Sequence, residues 1–200
     1  MLETAINNNQ AELVGEIISN PEFNHEIFGT KFYATTVATA RPSGVYDLVP
    51  ILIEEDFLPI HIGDNVHIAG QFRSFNKDGK LILNLLVREI EKVSGNDNAE
   101  HKNDITLDGY ICKKPIYRTT PMGKKITEVI LAVNRAWNKT DYIPCICWGS
   151  CAKWVEKMEI GTHVQFTGRI QSREYVKNKG TVAEEKRTAY EISVWRILEK

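Results

Sequence analysis

Between Tyr142 and Trp148 the chain alternates two kinds of side chain. With the two-residue period of a β-strand, Tyr142, Pro144, Ile146 and Trp148 share one face, and Ile143, Cys145 and Cys147 share the other. One face therefore carries an aromatic ring at each end, and the other carries only small or branched apolar groups suited to a core. Cations are interleaved with this run: Lys113 and Lys114, Arg118, Lys124 and Lys125, Arg135, Lys139, Arg169, Arg173, Lys177 and Lys179. Open aromatic faces accept flat partners at about 1–3 kcal/mol per stacked base, and cations follow a phosphate backbone. Rings and cations on one strand face are what sequence-tolerant binding of a single nucleic-acid strand requires. Trp137 opens the polar run Trp-Asn-Lys-Thr, which is poorly placed for burial. Trp154 is expected to pack inward with Val155 and Met158. Trp195 stands among Ile192, Val194 and Ile197, with its facing left open.

The elements that must position these groups emerge from charge and from self-similarity. The net charge of −1 is a cancellation: residues 1–100 carry 7 Lys+Arg against 15 Asp+Glu, and residues 101–200 carry 18 against 11. All four tryptophans lie in the basic half, which assigns any polyanion to that half. Shifting the sequence by 94 positions aligns 15–53 with 109–147 without a gap. Gly15, Pro21, Gly29, Arg41, Asp47 and Pro50 then fall on Gly109, Pro115, Gly123, Arg135, Asp141 and Pro144. After a four-residue insertion, Gly63, Gly70 and Ser74 meet Gly161, Gly168 and Ser172. Two copies of one domain follow, covering 1–93 and 104–200, with the polar stretch 94–103 as linker.

Each copy reads as mostly strand. In the second, β-rich runs cover 127–133, 142–148, 163–170 and 188–197, and one short helix is expected at 150–158 with Ser150 as N-cap and Gly161 just past its end. Four or five strands and one helix in such a length suit a small closed or partly open barrel.

Other chemistries find little support. Cys145, Cys147 and Cys151 lack the histidine or C-x-x-C partner that would complete a tetrahedral metal site, and the cysteines read as small buried hydrophobes. Ser150 and Lys153 match S-x-x-K without its companion motifs. Nucleotide-binding glycine loops and H-E-x-x-H are absent, and the five histidines are scattered. No run approaches the length of a membrane span, and the segment from Met1 has no secretory pattern. The expectation is a non-enzymatic protein with no cofactor and no metal.

The runs Leu131-Ala-Val-Asn-Arg-Ala-Trp137 and Asp141-Tyr-Ile-Pro-Cys-Ile-Cys-Trp-Gly149 resemble the bacterial and phage single-stranded DNA-binding protein family. The similarity continues through Gly168–Tyr175 and Tyr190–Ile197. The resemblance implies an all-β chain of two tandem five-stranded OB-fold barrels with one short helix per domain. It also implies sequence-tolerant binding of single-stranded DNA in replication, recombination or repair, in the cytoplasm at the nucleoid, and a homodimer that gathers four OB-folds. The family's stacking positions correspond to Trp137, Tyr142, Trp148 and Tyr175. Arg118, Arg135 and Arg173 fall where the family tends to be basic, and Lys124, Lys125, Lys139 and Lys177 complete the expected interface. In the first domain Ser43, Leu48, Glu54 and Lys77 replace the four rings, and Glu54, Glu55 and Asp56 add negative charge, so assembly or scaffolding is expected of it. The chain stops at Lys200, without the family's acidic tail that recruits replication and repair proteins. Two rival readings share the fold: a primosome-type accessory protein dominated by protein contacts, and an RNA-binding module.

Overall fold

The computed structural model describes residues 7–93, 102–177 and 185–200. The first half supplies β1 (Asn9–Ile17), β2 (Glu22–Ile27), β3 (Thr30–Ala40), β4 (Tyr46–Glu54), β5 (Asn65–Lys77) and β6 (Lys80–Lys92). The second supplies β7 (Asn103–Ile111), β8 (Ile116–Thr119), β9 (Lys125–Asn134), β10 (Thr140–Trp148), β11 (His163–Lys177) and β12 (Glu185–Glu199), with α1 (Gly149–Val155) after β10. Of the expected linker 94–103, only Lys102 and Asn103 are among the described residues.

Five strands of each half form a closed circuit. β1 pairs with both β3 and β5, β3 with β4, β4 in parallel with β6, and β6 with β5. β2 adds a short arm to β3. β7 and β9 to β12 repeat the circuit, with β8 as the arm. This is the OB-fold barrel, twice, as the sequence led one to expect. Alternation fills each barrel: Leu13, Ile17, Val37, Ile68, Phe72 and Leu85 are fully buried in the first, and Leu107, Ile111, Leu131, Ile143, Phe166 and Ile192 in the second. Two glycines of the repeat mark where the circuit closes. A Cβ on Gly15 or Gly109 would sit 2.4 Å from the carbonyl oxygen of Ala38 or Ala132, on the strand that completes the barrel. Glycine lets the backbones meet there.

Three expectations are corrected. The second-half helix spans Gly149–Val155 and is capped at Trp148 with no side-chain cap bond, so Ser150 lies inside its first turn. Among the described residues the first half has no matching α-helix: the shorter connection between β4 and β5, lacking the four inserted residues, forms only a 3₁₀ turn at Glu55–Phe57. Trp154 does not pack inward. Ala152 and Val155 take the buried side of α1, and Trp154 remains 43% exposed.

The halves join through β1 and β7, which pair antiparallel over Asn9–Leu13 and Asn103–Leu107. Ala11 faces its own repeat counterpart Ile105, and Asn9 faces Leu107 as Leu13 faces Asn103, so an approximate two-fold axis passes through this ladder. The buried Asn9 amide bonds both backbone groups of Phe72, and Asn103 does the same to Ile170. Among the described residues no helix is long and apolar enough to cross a membrane.

Candidate nucleic-acid interface

The alternation along β10 is realised except at Ile146, which is buried together with Cys145 and Cys147. Ile143, Cys145 and Cys147 are buried, and burial pushes the Cys147 thiol up to about 12, so it stays protonated within the core. On the opposite face Tyr142 is 48% exposed, Pro144 and Trp148 are half-buried, and Ile146 is nearly covered. The Trp148 indole N–H donates to Ser193 Oγ on neighbouring β12 at 3.1 Å, which holds the ring's orientation. Trp137 and Asn138 occupy the β9–β10 turn with φ of 62° and 53°, both in the left-handed region. Arg135 N–H donates to the Lys139 carbonyl across that turn, and Trp137 projects 82% exposed. Tyr175 lies on the outer reach of β11, with the Arg173 guanidinium 5.9 Å from its ring centre.

The cations divide into groups. Arg118 is tied to Glu128 between β8 and β9. Arg173 lies 3.8 Å from Glu191. Lys124 and Lys125 are exposed at the start of β9, and Lys139 in the turn after Trp137. Lys177 pairs through its backbone with Glu185, and its side chain lies outside the described residues. Lys124 and Trp148 line a groove of about 370 Å³ together with Arg169, Gln171, Ser193 and, from the first half, Arg41. Arg135 and Lys139 instead face a groove on the first half.

This exchange of arginines across the boundary comes from two matching buried clasps. Asp141, fully buried, accepts hydrogen bonds from the Ser74 backbone N–H at 2.7 Å and from Arg73 at 2.9 Å, with Arg135 Nε at 3.2 Å. Tyr142 N–H returns a bond to Ser74 Oγ at 2.8 Å. In the twin, buried Asp47 accepts from Arg41 and from the Ser172 N–H, Arg169 Nε stands 3.6 Å away, and Leu48 N–H donates to Ser172 Oγ at 2.9 Å. The repeat is not copied faithfully: Gln71 and Arg73 in one half become Arg169 and Gln171 in the other. The same arginine–glutamine contact forms with its ends reversed. Residue-by-residue reading missed Arg41, Gln171 and Ser193 as groove residues. The signal for Arg41 was its alignment with Arg135.

At the first half's equivalents of the rings, Leu48 is partly exposed, Glu54 lies 3.9 Å from Arg88, and Glu55 lies 3.6 Å from Lys31. In the second half Glu191 on β12 is buried beside Gln171 and Arg173. Burial raises the Glu191 pKa above its ordinary value of 4.5, and Arg173 only partly offsets this. A carboxyl whose folded pKa is raised contributes stability that is full below its unfolded value and is lost as pH rises through its folded one. Glu191→Gln should flatten that decline in melts taken across this range. An unchanged pH profile would mean that Glu191 titrates alike in the folded and unfolded chain.

Comparison with known proteins follows the same division of the chain. Residues 102–198 match the model of the single-strand binding protein family. The chain is 35% identical over 86 residues to a single-stranded DNA-binding protein of Clostridium tetani, covering 40% of this chain and 59% of that protein. It is 34% identical over 85 residues to single-stranded DNA-binding protein 1 of Staphylococcus aureus, covering 39% and 51%. The matched region thus spans between half and three-fifths of these curated relatives. Among solved structures, the wild-type single-stranded DNA binding protein from Thermus aquaticus superposes with a TM-score of 0.73 at 20% identity, over 96% of this chain and 92% of that one. That likeness extends the shared fold across both barrels.

Proposed function

We propose that the chain is a single-strand binding protein through residues 102–198, where it matches that family's model, and that it binds single-stranded DNA, tolerant of sequence and without catalysis. The observation that carries this is the groove in which Trp148 meets Lys124, Arg169 and Arg41. There a base finds a ring held by Ser193, and its phosphate finds cations from both barrels. Trp137, Tyr142 and Tyr175 extend the stacking surface, and Arg118, Arg173 and Lys125 border it. Residues 104–200 are the binding domain, and 1–93 form the supporting one across the connection 94–103. Two such chains associate to bring four OB-folds together. The setting is replication, recombination or repair at the nucleoid.

Titration with oligo-dT, oligo-rU and duplex DNA at about 50 and 200 mM salt, followed by tryptophan fluorescence, tests the reading. Deep quenching by dT that weakens steeply with salt is expected. Equal binding of duplex, or silent fluorescence, overturns the stacking face. Stronger binding of rU moves the ligand to RNA. Glu191→Gln should tighten dT binding, because it removes a negative charge that contacts the groove residue Gln171. Weaker binding by this variant would assign Glu191 a direct role in holding the base.

A further inference from the structure

The first barrel has lost rings at the four aligned positions, yet it carries rings elsewhere that the second barrel lacks, three of them around one groove. His25 on β2 stacks on Phe32 of β3, with centres 4.9 Å apart and planes within 7°. Phe75 on β5 is 42% exposed. In the repeat, these residues fall opposite Thr119, Ile126 and Arg173, where the second barrel has no ring. All three line one groove of about 510 Å³, within the range of roughly 300–1,000 Å³ usual for ligand sites. Four cations line it as well: Arg73 and Lys77 from the first barrel, and Arg135 and Lys139 from the second. Among the described residues no carboxylate is in its lining, although residues 1–100 carry an excess of acids. Asp141 beneath Arg73 and Arg135 cancels one of these four charges and leaves three.

We propose that this groove is a second seat for the same DNA strand, built by the first barrel and completed by the second. The inference rests on the reading of the chain as a single-strand binder, and it replaces a purely scaffolding first domain with one that holds nucleotides. Arg135 and Lys139 bracket Trp137 and Asn138 in the β9–β10 turn. A strand stacked on Trp137 is therefore delivered to the mouth of the first-barrel groove without a gap in positive charge. Flat stacked rings distinguish the occupant from an acidic peptide, which would use the cations and leave the rings idle. The groove needs no ring at the family's positions because Phe75 on β5 supplies an exposed ring in its lining.

The test compares the full chain with Phe75→Ala and with Phe75→Ala/Lys77→Ala, using end-labelled dT of graded length read by fluorescence anisotropy. An OB-fold engages about 4–16 nucleotides, so a dT of about 8 should be held by the second barrel alone, whereas one of about 30 should reach both. The short oligomer should bind all three proteins alike. The long one should bind Phe75→Ala about 5- to 150-fold more weakly, as expected for one lost base stack. Long-oligomer binding unchanged in both variants overturns the proposal. So does polyglutamate that binds wild type and Phe75→Ala alike and is lost in Phe75→Ala/Lys77→Ala while long dT is unaffected, because the groove then belongs to an acidic peptide. If no length of dT binds wild type, the functional reading fails, and that outcome is separable from an unaltered response to Phe75. Urea melts that superpose on wild type confirm that exposed Phe75 was removed without loss of the fold.

Discussion

Asp141→Ala is expected to lower the unfolding free energy by about 3–5 kcal/mol, the cost of breaking a buried ion pair by removing one partner. Asp141 is fully buried and is the acceptor for the Ser74 N–H and the Arg73 guanidinium, with Arg135 alongside. Deleting it leaves two guanidinium groups facing each other at the barrel boundary and orphans a backbone donor. Asp141→Asn keeps an oxygen for the Ser74 N–H and should recover part of the loss. Asp47→Ala should behave as its twin, since Asp47 holds Arg41 and the Ser172 N–H in the same manner. Urea denaturation followed by circular dichroism measures these differences. A loss below about 1 kcal/mol, the range of an exposed ion pair, would show that water reaches the clasp.

The second large effect is on binding. Trp137→Ala should weaken dT binding by about 1–3 kcal/mol, roughly 5- to 150-fold, with stability unchanged because the ring is exposed and its turn is held by backbone bonds. Trp148→Ala should weaken binding by a similar factor. It should also lower stability by about 1–2 kcal/mol, since the ring is half-buried and its N–H bond to Ser193 is lost. Anisotropy with labelled dT reports the binding even when the fluorescent ring has been removed. If Trp148→Ala unfolds the chain, the ring is a core element and the stacking face shrinks to Trp137, Tyr142 and Tyr175. If Trp137→Ala binds like wild type, the hairpin tip stands off the strand's path.

The barrels were legible in the sequence because their constraints are local and occur twice. Gly15 and Gly109 recur because two backbones touch there, and the two-residue period of β10 sorts its core side from its open side. The missing first-half helix was legible in principle too, in the four-residue difference between the connections, but helix formation was read from one copy and carried to the other. Trp154 was misplaced because apolar neighbours in sequence do not share a helix face: Val155 and Ala152 do, and Trp154 does not. The larger omission was spatial. Alignment compares the copies position by position, whereas Arg41 serves the barrel opposite its own, and Arg135 and Lys139 serve the first. No periodicity within either copy encodes that exchange. His25 and Phe32 escaped notice for a related reason, since with Phe75 they lie on three different strands and become a surface only after the barrel closes.

The β1–β7 ladder carries a thermodynamic consequence. Between separate barrels, such a ladder would form by collision, and its occupancy would fall on dilution. Here both strands belong to one polypeptide, so the second barrel meets the first at an effective concentration fixed within the molecule. Pairing of the two barrels is therefore a first-order process whose extent does not depend on how many molecules are present. The clasps and composite grooves built across that ladder persist in a cell that holds only a few copies, and only the association of whole chains remains subject to abundance.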